Sequence, residues 1–211
     1  MPYPDRFYPV VDSVAWVQRL AALGVGTIQL RAKDLAPAAA IALVRQALAA
    51  AGGARLVVND HWRAAIEAGA QHLHLGQEDL AEADIAAIRR AGLTLGLSSH
   101  DEAELENALR HDPDYVALGP IYPTTLKVMS VPPQGLAPIA QWKKRLGKIP
   151  LVAIGGITLE RAPAVYAAGA DSIAVVSDVT QNKAPDARVR AWLAHDPEKR
   201  QPVFGKDHAQ V

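Results

Sequence analysis

Eight short runs rich in apolar and β-branched residues recur along the chain, each followed by a segment of helical character. This alternation confines the chain to an α/β architecture around a parallel sheet. Strands are expected near Phe7–Val11, Thr27–Arg31, Leu56–Asn59, His72–Leu75, Leu93–Ser98, Tyr115–Leu118, Leu151–Ile154 and Ser172–Val176. Helices are expected over Val14–Leu23, Pro37–Ala50, His61–Ala68, Leu80–Ala91, Glu102–Arg110, Pro138–Leu146, Leu159–Ala168 and Pro185–Ala194. Ser13, Thr158, Pro37 and Pro185 stand where helices should start. Ala22-Leu23-Gly24-Val25, Ala68-Gly69-Ala70, Ala91-Gly92-Leu93 and Ala168-Gly169-Ala170 form a weak repeat, in which glycine suits the left-handed residue that ends a helix before a strand. Eight helix-stop-strand units point to a single (β/α)8 TIM barrel, with an open doubly wound sheet as the alternative. A chain of 211 residues fits one barrel, expected over residues 1–195, followed by an irregular tail at 196–211 that contains Pro197 and Pro202.

Composition removes several classes of function. Lys plus Arg and Asp plus Glu both number 22, so no net field favours nucleic acid or a membrane surface, and any anion must be held by a local cluster. Without cysteine there are no disulfides, thiolate nucleophiles or cysteine-ligated metals. No basic-then-apolar leader and no long uninterrupted apolar stretch is present, so a cytoplasmic protein is expected. Homo-oligomerisation is compatible with the chain but is not read from it.

The run Thr27-Ile28-Gln29-Leu30-Arg31-Ala32-Lys33 carries the most chemistry. Side chains alternate along a strand, so Ile28 and Leu30 should face the helices while Gln29, Arg31 and Lys33 face the barrel interior and its mouth. Three long donors inside a barrel need an anion or carboxylates to meet them. They form either a structural salt-bridge network or a polyphosphate grip, with Arg31 as fork and Lys33 as point charge. Asn59-Asp60 ends the third strand, and His74-Leu75-Gly76-Gln77-Glu78-Asp79 runs out of the fourth. Oxygen ligands from separate strand ends suit magnesium shared with a diphosphate, although Asn59, Asp60 and Asp79 could equally cap helices. His74, set among leucines, is expected to be a satisfied core histidine, as are His72 and His100, and Glu78 a solvated charge.

Further anion donors should lie after strands five to eight. They are Ser98 and Ser99, then Gly119-Pro120-Ile121-Tyr122-Pro123-Thr124-Thr125-Leu126-Lys127, Ile154-Gly155-Gly156-Ile157-Thr158 and Val175-Val176-Ser177. Glycine pairs after strand seven, beside the loop after strand eight, commonly receive a phosphate monoester, although glycines also end strands for steric reasons. Two anion sites in one barrel would suggest two phosphorylated substrates.

Together these strings resemble the thiamine phosphate synthases, (β/α)8 enzymes that join the two halves of thiamine. The resemblance rests on Tyr8-Pro9-Val10-Val11-Asp12, Gln29 to Lys33, Asn59-Asp60, His74 to Asp79, Gly119 to Thr124, Gln134-Gly135, Ile154 to Ile157 and Val175 to Ser177, in order from about Tyr8 to Trp192. It implies a transferase acting on small-molecule substrates. Gln29, Arg31, Lys33, Asn59, Ser98 and Lys127 would contact the diphosphate of hydroxymethylpyrimidine diphosphate. Asp60 and Asp79 would hold Mg2+, and Thr124, Thr125, Gly156, Val176 and Ser177 would receive the thiazole phosphate. Arg31, Lys33, Ser98 and Lys127 would assist departure of diphosphate, leaving the pyrimidine methylene as a carbocation for the thiazole nitrogen. Two positions depart from the family pattern. Leu126 replaces a hydroxyl of Thr-x-Thr-Lys, and Asp178 follows Ser177 where a small apolar residue is usual. Both fall at the thiazole phosphate, so weakened binding there is expected unless Asp178 turns outward or pairs with a lysine such as Lys183. The competing readings are a thiazole tautomerase relative, which needs no diphosphate–magnesium site, and a noncatalytic thiamine-phosphate-binding regulator.

Overall fold

A computed structural model describes residues 3–124 and 131–195 of the chain. Eight parallel strands close on themselves in sequence order. They are β1 (Phe7–Val11), β2 (Thr27–Leu30), β3 (Arg55–Asn59), β4 (His72–Leu75), β5 (Thr94–Ser99), β6 (Tyr115–Leu118), β7 (Leu151–Ile154) and β8 (Ser172–Val175). Closure is through β1 and β8, where Phe7, Tyr8 and Pro9 pair with Ile173, Ala174 and Val175. The helices around them are α1 (Val14–Ala22), α2 (Pro37–Ala51), α3 (Trp62–Ala68), α4 (Gln77–Glu82), α5 (Ile85–Arg90), α6 (Glu102–Leu109), α7 (Ala137–Leu146), α8 (Ala162–Ala167), α9 (Ser177–Thr180) and α10 (Pro185–Ala194). The expected TIM barrel is therefore present, and the open-sheet alternative is not. The tail at 196–211 lies outside the described residues.

Strand alternation divides the core into two layers. One face of each strand packs on the helices, for example through Ile28, Leu30, Val116, Leu118, Ile173 and Val175. Leu73, Leu75, Leu95 and Leu97 do the same on the β4–β5 side. The other face fills the barrel with Tyr8, Val10, Val57, Tyr115, Ala117, Val152 and Ala174. Register pairs Gly96 with Tyr115, and a Cβ at Gly96 would overlap the tyrosine ring. Glycine on β5 thus makes room for an aromatic side chain from β6 in the same inner layer.

The punctuation follows the expected chemistry at most junctions. Gly24, Gly69, Gly92 and Gly169 all have positive φ, as the left-handed helix stop requires. The Ser13 hydroxyl caps α1 by accepting from Trp16 N, and prolines open α2 and α10. The expected Leu80–Ala91 helix is instead two short helices. Asp84 breaks it by accepting from Ala87 N, which starts α5 afresh. Thr158 does not cap the seventh helix, because residues 159–161 form a turn and α8 begins at Ala162 with a proline in its first turn. No helix among the described residues is long and apolar enough to cross a membrane.

Candidate active site

The C-terminal ends of the strands open into a cleft of about 540 Å³, lined by residues from β1 to β8. Gln29, Arg31, Asn59, His74 and Ser98 line one side, and Thr124, Gly155, Gly156, Val176 and Ser177 the other. Residues of two clusters expected from separate stretches of sequence therefore share one cavity, whereas Lys33, Asp60 and Asp79 are not among its lining residues and Lys33, beyond the end of β2, is half exposed. Thr125, Leu126 and Lys127 lie outside the described residues.

On the first side, polar groups continue down into the barrel as one chain of hydrogen bonds. Gln29 Nε2 donates to Tyr8 Oη over 2.7 Å, and Tyr8 Oη lies 2.8 Å from Tyr115 Oη. Tyr115 Oη is 2.9 Å from His74 Nδ1, and His74 Nε2 is 2.8 Å from Ser98 Oγ. His74 is fully enclosed, and burial pushes its pKa down to about 4, so the ring is neutral near pH 7. Burial likewise pushes both phenols well above the usual tyrosine range. With Gln29 donating, every buried proton finds an acceptor if Tyr8 donates to Tyr115, Tyr115 to His74 Nδ1, and His74 Nε2–H to Ser98 Oγ. Ser98 then keeps its own proton for the cleft. His74 is the satisfied core histidine that was expected, and it also supports a cleft residue. His72 sits at the opposite end of β4, paired with Thr94 Oγ1 at 2.8 Å and stacked on Tyr3. His100 lines the cleft with Nδ1 2.7 Å from Glu104 Oε2.

Asp60 has φ of 65°, in the left-handed region that Asp tolerates better than most residues. Its N–H donates to His74 O, which ties the end of β3 to β4. Neither Asp60 nor Asp79 is an N-cap residue: the N-caps of α3 and α4 are His61 and Gly76, and neither makes a side-chain cap. The Asp79 carboxylate instead folds back over Gly76, where an added Cβ would lie 3.2 Å from Oδ2. Burial, then the charge of Asp79 and a hydrogen bond with it, pushes the Asp60 pKa up to about 6, against the opposing pull of Lys33 and Arg31. Lys33 Nζ stands 3.8 Å from Asp60 Oδ2 and is half exposed, so this pair adds under about 1 kcal/mol. Two crowded carboxylates from separate strand ends form a donor set suited to a hard divalent cation whose remaining ligands come from substrate and water. No cluster of three or more such ligands occurs among the described residues. Asn59 completes this side. It is buried, and its Nδ2 has no hydrogen-bond partner among the described residues, so it holds a donor they leave unused.

The second side is shaped by backbone. Gly155 and Gly156 have φ of 100° and 61°, and a Cβ on Gly155 would fall 2.6 Å from Pro120 Cα. Ile121 N and Tyr122 N donate to Ile154 O and Gly155 O, locking the loop after β6 to the loop after β7. Gln134 Nε2 donates to Gly119 O over 2.8 Å. Asp178, expected to threaten this side, does not line the cleft. Its carboxylate is buried and accepts from Arg188 Nε and Nη2 and from Trp192 Nε1, each over 2.7 Å. The partner is therefore Arg188, ten residues on, and not Lys183.

Sequence reasoning did not find the roles of Tyr8 and Tyr115, nor of Gln77, whose amide donates to Ser98 O over 2.7 Å and pins the end of β5. The only available signal was that Tyr115 alternates with Ala117 on the face opposite Val116 and Leu118.

Comparison with known proteins agrees with this architecture. Residues 7–179 match the family model described as thiamine monophosphate synthase. The chain is 57% identical to the thiamine-phosphate synthase of Rhizobium etli over 192 residues, covering 90% of this chain and 94% of that protein. It is 55% identical to the enzyme of the same name from Cronobacter sakazakii over 191 residues, covering 89% and 90%. The solved thiamine phosphate pyrophosphorylase from Pyrococcus furiosus superposes with a TM-score of 0.76 at 25% identity, covering 90% of this chain and 94% of that one. The chain belongs to the thiamine monophosphate synthase family.

Proposed function

We propose that this protein condenses hydroxymethylpyrimidine diphosphate with a thiazole phosphate, forming the bond from the pyrimidine methylene to the thiazole nitrogen and releasing diphosphate. The product is thiamine phosphate. The observation that carries the reading is the pairing of two chemically different halves in one cleft. Arg31, Gln29, Asn59 and Ser98 from β2 to β5 share the cleft with a glycine-rich backbone cradle from β7 and β8, and the Asp60–Asp79 pair adjoins it through Lys33 and Arg31.

On the leaving-group half, Arg31 offers a planar fork to the diphosphate and Lys33 a mobile charge, with Lys127 assigned beside them by family resemblance. Asn59 Nδ2 supplies an N–H that no described residue accepts, and Gln29 orders the hydrogen-bond chain that turns Ser98 Oγ–H outward. Asp60 and Asp79 are the residues that would hold magnesium, which when bound neutralises charge on the departing diphosphate. Departure needs charge stabilisation more than a general base, because the thiazole nitrogen has no proton to lose. Neutral His74 fits this requirement, since it orients Ser98 without taking a proton.

On the other half, Thr124, Thr125, Gly156, Val176 and Ser177 receive the thiazole phosphate through hydroxyl and backbone donors. The pairing of Asp178 with Arg188 removes the charge repulsion that would have favoured a noncatalytic regulator. The crowded Asp60–Asp79 pair beside Arg31 and Lys33 disfavours a tautomerase, which has no use for it.

Calorimetric titration with inorganic diphosphate tests the leaving-group half. Binding is expected to tighten at least tenfold when magnesium is added, and Arg31→Ala is expected to weaken it by about ten- to a hundredfold, the worth of one charge-assisted fork. Equal affinity with and without magnesium, and in the variant, would remove these residues from the diphosphate site.

A further inference from the structure

Two carboxylates frame the phosphate cradle from behind, and one guanidinium holds both. Glu160 stands four residues after Gly156 in the loop following β7, and Asp178 directly follows Ser177 at the start of α9. Arg188, on α10, donates through Nε and Nη2 to Asp178 and through Nη1 and Nη2 to Glu160, all at 2.7 Å. Trp192, one turn further along α10, donates from Nε1 to the same Asp178 oxygen that accepts from Arg188 Nε. Both edges of the fork are thus committed to protein, leaving Arg188 no edge to offer a substrate. The Arg188 side chain is 17% exposed and that of Asp178 only 7%, so this pair is enclosed, while Glu160 closes the clamp from the exposed side. Arg161 reinforces the same loop by donating to Gly156 O over 2.5 Å. Arg188 also draws the Glu160 carboxyl down to about 2, which keeps it ionised and gripped across the working pH range.

We propose that Arg188 is a positioning residue for phosphate-monoester specificity. It fixes the Gly155–Gly156 and Val176–Ser177 turns relative to each other and neutralises Asp178, whose charge would otherwise oppose an anion beside Ser177. The proposal rests on the reading that these two turns receive the thiazole phosphate. It explains how the chain carries a carboxylate next to Ser177 without losing that site. A free carboxylate there would repel the phosphate, whereas a clamped one holds α9 to α10 and to the loop after β7.

Steady-state kinetics of the full chain with both substrates varied, alongside thermal melting, test it. Arg188→Ala is expected to raise KM for the thiazole phosphate by about ten- to a hundredfold, the scale of a small misplacement plus an uncompensated charge. KM for the pyrimidine diphosphate and kcat at saturation should stay within about threefold, a split that a general loss of structure would not produce. Asp178→Ala in the Arg188→Ala background removes the uncompensated charge and should recover part of the lost affinity, leaving the share that comes from the displaced turns. Glu160→Gln, at an exposed side chain, should give a smaller rise of the same selectivity and serves if Arg188→Ala fails to fold. Gly156→Ala, whose Cβ would overlap Pro123 O, controls for the reading itself. If Gly156→Ala raises the thiazole phosphate KM while the Arg188 and Glu160 variants leave it unchanged, the clamp is not a positioning device. If Gly156→Ala also leaves it unchanged, the phosphate lies elsewhere and both ideas fall.

Discussion

Replacing Asp60 by alanine is expected to lower kcat at least a hundredfold while leaving the melting temperature unchanged or slightly raised. The asymmetry follows from its surroundings. Burial, and after it the charge of Asp79, raises the Asp60 pKa to about 6, so its ionised form is disfavoured where it sits and adds repulsion instead of stability. Its ion-pair partner Lys33 is half exposed at 3.8 Å and returns little. Its backbone already holds an uncommon left-handed φ, which alanine tolerates less well, so a small loss there offsets the relieved repulsion. Function has no such compensation. Electrostatic groups aimed at developing charge are each worth about a hundred- to a thousandfold in kcat, and a carboxylate proposed to hold the neutralising cation falls in that class. Asp79→Asn should behave in the same way. Kinetics beside thermal melting check the claim, and a melting loss of several degrees with turnover intact would instead make the pair structural.

The second large effect is expected inside the barrel. Gly96→Ala should destabilise the fold by about 1–3 kcal/mol, the usual cost of overpacking a filled core. At roughly 2–4 °C per kcal/mol for a chain of this size, the shift is measurable by melting. The added Cβ would overlap Cζ, Cε1 and Oη of Tyr115, whose ring cannot retreat easily. It stacks against His74 with centroids 5.5 Å apart and meets Tyr8 edge-on at 6.0 Å. If the ring shifts, the contact from Tyr115 Oη to His74 Nδ1 is lost, and with it the orientation of Ser98. KM for the pyrimidine diphosphate should therefore rise several-fold in Gly96→Ala, although Gly96 never meets a substrate. A stability loss without that change would show that the Tyr115–His74 chain does not reach the cleft chemistry.

The barrel was legible because its signals are local. Apolar runs of four to six residues, glycine stops and prolines at helix starts each act within one turn or strand. Period-two alternation also put Gln29 and Arg31 on the inner face, where they are found. What escaped was set by register or by distant pairing. The Tyr8–Tyr115 contact spans 107 positions, and that of Tyr115 with His74 spans 41. Neither exists until the barrel closes. The break at Asp84 was hidden because apolar spacing continues through it, while the backbone turns extended at Ala83 and the cap to Ala87 N starts a new helix. Asp178 read as a hazard because its charge is visible in the chain, whereas its clamp is not. Arg188 reaches it only after the one-turn α9 folds the chain back onto α10. The expectation for Leu126 concerns a position outside the described residues.

The central claim is that one cleft joins two phosphorylated substrates. Rapid mixing of excess protein with hydroxymethylpyrimidine diphosphate, thiazole phosphate and magnesium tests it within a single turnover. Thiamine phosphate and diphosphate should appear in equal amounts at one rate, with none formed when magnesium is chelated. Binding of both ligands with no product, or product that is indifferent to magnesium, would contradict it.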